Sequence, residues 1–354
     1  VVAEPFRLEE LELAKRNRGL PLEALTYPIT PAGLHFVLVH YDVPALDASS
    51  WRLTIDGLVE RPRELSLADL ETMPAAEATV TLECAGNGRA RLEPRPFSMP
   101  WLEDGVGTAR WKGASLRALL DETGVLDEAV ELVFSGHDRG FEGDVEGQYG
   151  RSLTIREALD GNALLAYEMN GAPLPPQHGF PVRLVVPGWY GMASVKWLTS
   201  IEAVGEPFRG HHQAVAYRIQ REPDEDGVPV PRMLPRALMI PPGIPSFPER
   251  RRSVDLGEIV LEGRAWSGHG PVEAVAVSTD GGRTWDEAAL DRDVDSPWAW
   301  CRWQLVWTPA AAGEVELVCR ARDAAGNVQP LEPAWNVGGY ANNAVQRLTV
   351  TVRS

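Results

Sequence analysis

The stretch TLECAGNGR, residues 81–89, places a thiol where a strand should end. TVTLEC (79–84) alternates β-branched and other residues, the pattern of a strand. Ala-Gly-Asn-Gly breaks that run, and Arg89 follows close behind Cys84. Gly86 and Gly88 allow a tight turn or a close backbone approach. Arg89 keeps its charge, favours a nearby thiolate and offers a planar donor fork to an oxyanion. The residues read as an anion-handling site, or as a tight turn beside a surface arginine. Cys84 itself has three readings: a core thiol, a nucleophile or a metal ligand. A nucleophile needs a base in reach, for which His40, His178, His211 and His212 are candidates. Thiolate metal sites usually repeat Cys or His at short spacing, and none surrounds Cys84. A lone thiolate still ligates a soft metal if a cofactor supplies the other ligands. The other two cysteines, Cys301 and Cys319, lie in strand-like segments and read as buried core thiols; an odd count of three argues against a disulfide framework.

Working outward, residues 1–235 read as mixed α and β. WRLTIDGLV (51–59) is a strand. Ser66 with Asp69 opens a short helix as a capping box. ASLRALLDETG (114–124) is a helix stopped by Gly124, and Thr154 with Glu157 opens another, closed by Gly161. LLAYEMNGAPL (164–174) is a hairpin turned by Asn170-Gly171. FPVRLVVPG (180–188) is an apolar buried strand. Residues 222–252 are rich in proline and charge and read as a linker along the surface of the first domain. The second domain, 236–354, is all β, with its strand signal clear from about residue 253. Roughly seven short alternating runs, separated by Asp280-Gly281-Gly282 and Ala325-Gly326-Asn327, fit an immunoglobulin-like sandwich. Trp266, Trp285, Trp298, Trp300, Trp303, Trp307 and Trp335 crowd this half. They suit a core and an interface, or a carbohydrate-binding face, and a homodimer built through this domain follows from such edges and patches.

Composition bounds the function. The 354 residues are 44 % hydrophobic and 24 % charged, as in a water-soluble globular protein. No segment is long and apolar enough to span a bilayer. A net charge of −16 at pH 7 disfavours nucleic acid and anionic membrane as partners. No secretory signal is visible, yet the chain starts at Val1, so a removed leader stays open, as does a cytoplasmic or periplasmic compartment. An anion would have to be bound by a local basic cluster. HGFPVR (178–183) with Ser194-Val195-Lys196-Trp197 offers one. Arg183 sits among Val182, Leu184, Val185 and Val186, where a buried cation is costly without a partner. Either its side chain reaches the surface, or it meets an anion in a groove.

TVTLECAGNGR, LLAYEMNG, PPQHGFPVRLVVPG and SVKWL, in this order, resemble the sulfite oxidase family of molybdenum enzymes. The resemblance extends from about His35 through AWSGHGPVEAVAVSTDGGRTW and AWNVGG near the C-terminus. It implies an α+β fold: a mixed α/β molybdopterin-binding domain followed by an all-β, immunoglobulin-like dimerisation domain. It implies Mo-molybdopterin as cofactor, with Cys84 the protein ligand of molybdenum. The cofactor would be held by residues matching Asp138, His178, Arg183, Ser194, Val195 and Lys196, and by the FVLVH segment, Phe36, Val37, Leu38, Val39 and His40. Around the substrate, Arg89 matches an anion-binding arginine, Trp101 a pocket tryptophan and Tyr217 the active-site tyrosine. The implied reaction is oxygen-atom transfer, sulfite to sulfate, with electrons leaving one at a time. No haem or flavin domain fits in the chain, so the implied partner is an external acceptor such as a cytochrome.

Two residues depart from the family pattern. Sulfite-oxidising members carry arginine where this sequence has Leu38, and again where it has Gly338. Each charge-assisted contact to an oxyanion is worth roughly 1.5–3 kcal/mol. His211, His212 or Arg218 would have to compensate, or the substrate is less charged: an S-oxide, an N-oxide or nitrate, acted on reductively. Outside this chemistry, the sequence admits a binding or adhesion module with a relic first domain and, more remotely, a cysteine hydrolase.

Overall fold

The computed structural model describes residues 6–160, 162–247 and 249–354. The first half holds two sheets. One runs Arg63–Leu65, Leu53–Gly57, Leu198–Val204, Glu131–Glu142, Val145–Thr154, with the second and third strands parallel. The other is antiparallel: Ala75–Glu83, Val106–Ser115, Leu164–Met169, Ala172–Pro173, with Arg183–Val185 also on Leu164–Met169. Cys84 therefore stands one residue beyond the edge strand Ala75–Glu83. Its amide donates to the Gly105 carbonyl at 2.8 Å, which fixes where the chain turns off the sheet.

Local signals behave as the sequence predicts. Ser66 and Asp69 cap Leu67–Thr72 reciprocally. Ser115 caps Leu116–Thr123, which buries Leu116, Leu119, Leu120 and Thr123 at helical spacing. Each such leucine stabilises the fold by about 1.5–3 kcal/mol. Thr154 and Glu157 exchange hydrogen bonds at the start of Ile155–Asp160, while the expected stop at Gly161 lies outside the described residues. Asn170 and Gly171 both take positive φ, 56° and 80°, and turn the hairpin.

Non-local pairing changes other expectations. The buried strand expected over 180–188 is only Arg183–Val185. Pro181 and Pro187 lack the donors to extend it, and the Val186 amide turns instead to the Ser194 hydroxyl at 3.1 Å. The proline-rich stretch 222–252 differs from a surface linker. Arg236–Met239 inside it is a fully buried strand pairing with Ile259–Trp266. Its prolines flank short strands rather than mark a tether.

The second half is two sheets. Arg236–Met239, Ile259–Trp266, Cys301–Trp307 and Ala289–Asp291 form one; Ile244–Pro245, Arg252–Asp255, Gln346–Arg353, Gly313–Asp323, Val272–Ser278 and Asp286–Glu287 form the other. Leu261, Trp303, Leu317 and Val350 fill the space between them. Cys301 and Cys319 lie there too, as free thiols whose pKa burial pushes up. Trp266 and Trp300 are buried instead against the first half.

The halves meet along the strand that carries Cys84. Thr81 exchanges hydrogen bonds with residues 298–300 across the boundary: its amide donates to the Trp298 carbonyl at 2.9 Å, and its hydroxyl accepts from the Trp300 amide at 2.8 Å. Glu83 is paired with Arg236 at 2.8 Å and accepts from the Trp266 indole at 2.9 Å, all three buried.

Candidate active site

Glu83 also organises the turn after it. The Asn87 side chain donates to its carboxylate at 2.9 Å and accepts from the Gly105 amide at 3.0 Å. Gly88 takes φ +85°, a conformation glycine adopts without strain. Its carbonyl accepts from Asn342 at 2.8 Å, and the Ala85 carbonyl accepts from the Ala341 amide at 2.8 Å. Thus the loop 336–343 of the second half lies on the turn. Arg89 is buried there. Nε donates to the Gly338 carbonyl and Nη1 to the Met99 carbonyl, both at 2.9 Å, and its guanidinium lies over the Tyr340 ring. The Cys84 thiol is 5 % exposed. Burial raises its pKa, and the opposing pull of Arg89 is smaller, so this pocket alone does not make a free thiolate.

Two spaces open at Cys84. The first is a cleft lined by Phe36, Leu38, His40, Asp138, His178 and Lys196, among others. Arg183 is buried in it, donating to the His178 carbonyl at 3.1 Å and the Ser194 carbonyl at 3.0 Å and lying over Trp111. Lys196 donates to the Leu38 carbonyl at 2.6 Å and the Gln177 carbonyl at 3.2 Å. Among the described residues, neither cation has a carboxylate within 4 Å. Burial holds Arg183 at about 9, still charged at neutral pH, and pulls Lys196 down, while burial raises Asp138. His35 Nε2, His178 Nε2 and Asp138 Oδ1 are buried without partners. Buried polar atoms normally find partners, so this cluster is arranged for something else. A buried guanidinium and a buried amine with no carboxylate in direct contact fit a phosphate-bearing group. No three His, Cys, Asp or Glu among the described residues gather as a metal site. A metal at Cys84 would therefore take its other ligands from the cofactor.

The second space is a cavity of about 320 Å³ on the other side of Cys84, lined by Val39, Arg89, Trp101, Phe141, His212 and Tyr340, with His40 and Tyr217 shared. Tyr217 and His40 Nε2 share a 2.6 Å hydrogen bond. Burial pushes the Tyr217 phenol well up and His40 well down, so both are neutral. The Tyr41 hydroxyl donates to Glu142 at 3.0 Å. His212 lies 3.4 Å from that carboxylate, yet burial pulls it to about 4.

Most of the residues expected at the site thus converge on Cys84: Phe36, Val37, Asp138, His178, Arg183, Ser194 and Lys196 at the cleft, Val39, Arg89 and Trp101 at the cavity, and Leu38, His40 and Tyr217 at both. Val195 is the exception. Its side chain sits in the core, and its carbonyl accepts from the Leu184 amide at 2.8 Å. Arg218 donates to the Asp226 and Gly227 carbonyls and supplies no cation to the cavity. His211 pairs with Glu142 at 3.6 Å and does not line the cavity. His35, Tyr149, Gln177, Met99, Phe141, Glu142 and Tyr340, none of them expected at the site, also line these spaces. Tyr340, two residues after Gly338 in WNVGGY, carried a local signal; the others come from scattered segments.

Residues 40–212 match the model of the oxidoreductase molybdopterin-binding domain, and residues 245–353 that of the Mo-co oxidoreductase dimerisation domain. The sulfite oxidase of Gallus gallus is 40 % identical over 335 residues, covering 90 % of this chain and 72 % of its own. An NADH nitrate reductase of Ulva prolifera is 34 % identical over 346 residues, covering 90 % of this chain and 40 % of its own. Among solved structures, the sulfane dehydrogenase SoxCD from Paracoccus pantotrophus covers 100 % of this chain and 95 % of its own, with a TM-score of 0.82 at 27 % identity.

Proposed function

The chain belongs to the sulfite oxidase family of molybdopterin-binding oxidoreductases, and from that premise we propose that it oxidises sulfite to sulfate and passes the electrons to an external one-electron acceptor. One observation carries the reading: Cys84 stands between a cleft in which Arg183 and Lys196 are buried and a cavity holding Arg89. Arg183, His178, Ser194 and Lys196 would hold the phosphate and ring of Mo-molybdopterin, the 36–40 segment would cover it, and the Cys84 sulfur would bind the metal. When bound, that cofactor supplies the two-electron oxygen-atom transfer chemistry. The residues of this chain position and neutralise. Arg89 keeps Nη2 for a substrate oxygen, while Nε and Nη1 donate to the Gly338 and Met99 carbonyls. In the tautomer of neutral His40 that carries its proton on Nε2, His40 donates to the Tyr217 oxygen and leaves the phenol proton for a substrate oxygen. Trp101 walls the cavity. The second half would pair two copies of the chain, in keeping with its match to a dimerisation domain.

Elemental analysis with sulfite-dependent ferricyanide reduction tests this. The expected result is about one Mo per chain and turnover; a Mo-loaded protein inert at millimolar sulfite would sink the sulfite reading. A reductive reading with an S-oxide, N-oxide or nitrate is favoured by one feature: positions 38 and 338 offer carbonyls, to Lys196 and Arg89, rather than cations. Oxidation of reduced viologen by a panel of such oxides decides it.

A further inference from the structure

We propose that the cavity beside Cys84 takes organosulfinates, R–SO2⁻, and that the protein oxidises them to sulfonates; this rests on the oxygen-atom transfer reading above and names a substrate class for it. The cavity is larger than an inorganic oxyanion needs. Three oxygens of water size, at ~30 Å³ each, fill no more than roughly a third of its 320 Å³. Leu38, Met99, Trp101, Phe141 and Tyr340 form an apolar and aromatic part of the wall, which also carries polar side chains. A binding site of that kind suits an organic group fixed at one end by a few polar contacts.

Charge points the same way. Among the described residues, Arg89 is the arginine that lines the cavity, and the Glu142 carboxylate lines it too. His40 and His212, the other basic groups there, are neutral near pH 7. Arg89 already donates to two carbonyls. A second arginine at 338 is blocked, because a Cβ there would lie 2.3 Å from the Tyr340 ring. Among the described residues, the site therefore offers one cation, Arg89, already offset in part by Glu142, and no second cation to meet the two negative charges of the sulfite dianion. A sulfinate keeps the pyramidal sulfur and its lone pair, carries one negative charge, and replaces one oxygen by carbon. Its SO2⁻ end would meet Arg89, and its organic end would lie along the wall towards Phe141, which is largely exposed at the mouth.

The reaction balances as R–SO2⁻ + H2O → R–SO3⁻ + 2 H⁺ + 2 e⁻. One S–O bond forms, sulfur loses two electrons, water supplies the oxygen, and both protons leave to solvent. The electrons pass singly to an external acceptor such as ferricyanide or a cytochrome.

The Mo-loaded protein is assayed by ferricyanide reduction with benzenesulfinate, methanesulfinate and sulfite. Binding of the product, benzenesulfonate, is measured separately by calorimetry, without turnover. The expected result is a kcat/KM for benzenesulfinate at least equal to that for sulfite, and saturable benzenesulfonate binding. Leu38→Arg should shift the preference towards sulfite about tenfold or more and weaken benzenesulfonate binding. Phe141→Ala, at an exposed position where folding is safe, should lower the benzenesulfinate-to-sulfite ratio of kcat/KM about fivefold. Turnover of sulfite with both sulfinates inert overturns the inference and leaves the sulfite reading standing. Inertness to all three overturns both. An unchanged ratio in Phe141→Ala also overturns the placement of the organic group.

Discussion

Arg89 is held by neighbours that leave it no room to drift. A Cβ at Gly86 would stand 2.5 Å from its guanidinium nitrogens. Gly86→Ala should therefore displace Arg89 while leaving the sheet intact, raising KM for the anionic substrate about tenfold or more, since a contact to a charged group is worth roughly 1.5–3 kcal/mol. Steady-state kinetics at fixed Mo content check this. His35 makes a different prediction. Burial, its largest cause, lowers its pKa to about 4 in the fold, against an ordinary 6.5. Above pH 6.5 the imidazole is neutral folded or unfolded, and the shift has no effect. Between pH 6.5 and 4 the unfolded chain takes a proton that the fold refuses, so stability falls as pH falls, by about 3 kcal/mol in all. Thermal melts of cofactor-free protein at pH 7 and pH 5, beside His35→Gln, should show a smaller acid drop in the variant. Cys84, Arg89 and Arg183 were legible because glycines beside a thiol, and a cation inside an apolar run, are odd within a few residues. His35 and Glu142 were not: each becomes notable only through groups brought from distant strands.

At the scale of elements, the reciprocal bonds of Ser66 and Asp69 show what short sequence can settle. Ser66→Ala should cost about 1 kcal/mol by removing the side-chain acceptor for the Asp69 amide. Differential scanning calorimetry should record it as a lowered Tm with unchanged activity. Helix caps and the Asn170-Gly171 turn are decided within four residues, so the sequence predicts them well. Strand extent is decided by partners elsewhere. That is why 180–188 shrinks to Arg183–Val185, and why Arg236–Met239 hides in a stretch that proline content marks as a linker.

For the whole molecule, the Glu83–Arg236 pair joins the strand leading to Cys84 with the first strand of the second half. Arg236→Leu would leave a buried carboxylate without its cation, at a cost of about 3–5 kcal/mol. Chemical denaturation should show that loss, and a variant as stable as the parent would remove the pair from the account of stability. The mixed first half, the β second half and the family chemistry were legible in the sequence; this coupling was not, since nothing local marks Glu83 as the partner of a residue so far along the chain.

The contacts of the 336–343 loop with Ala85, Gly88 and Arg89 have a consequence for recombination. A chimera that took its catalytic half from this chain and its second half from a relative would inherit a foreign hand on its own arginine. The turn and the loop should therefore be transmitted together, so that a workable crossover near residue 235 must also carry residues 336–343 from the same parent.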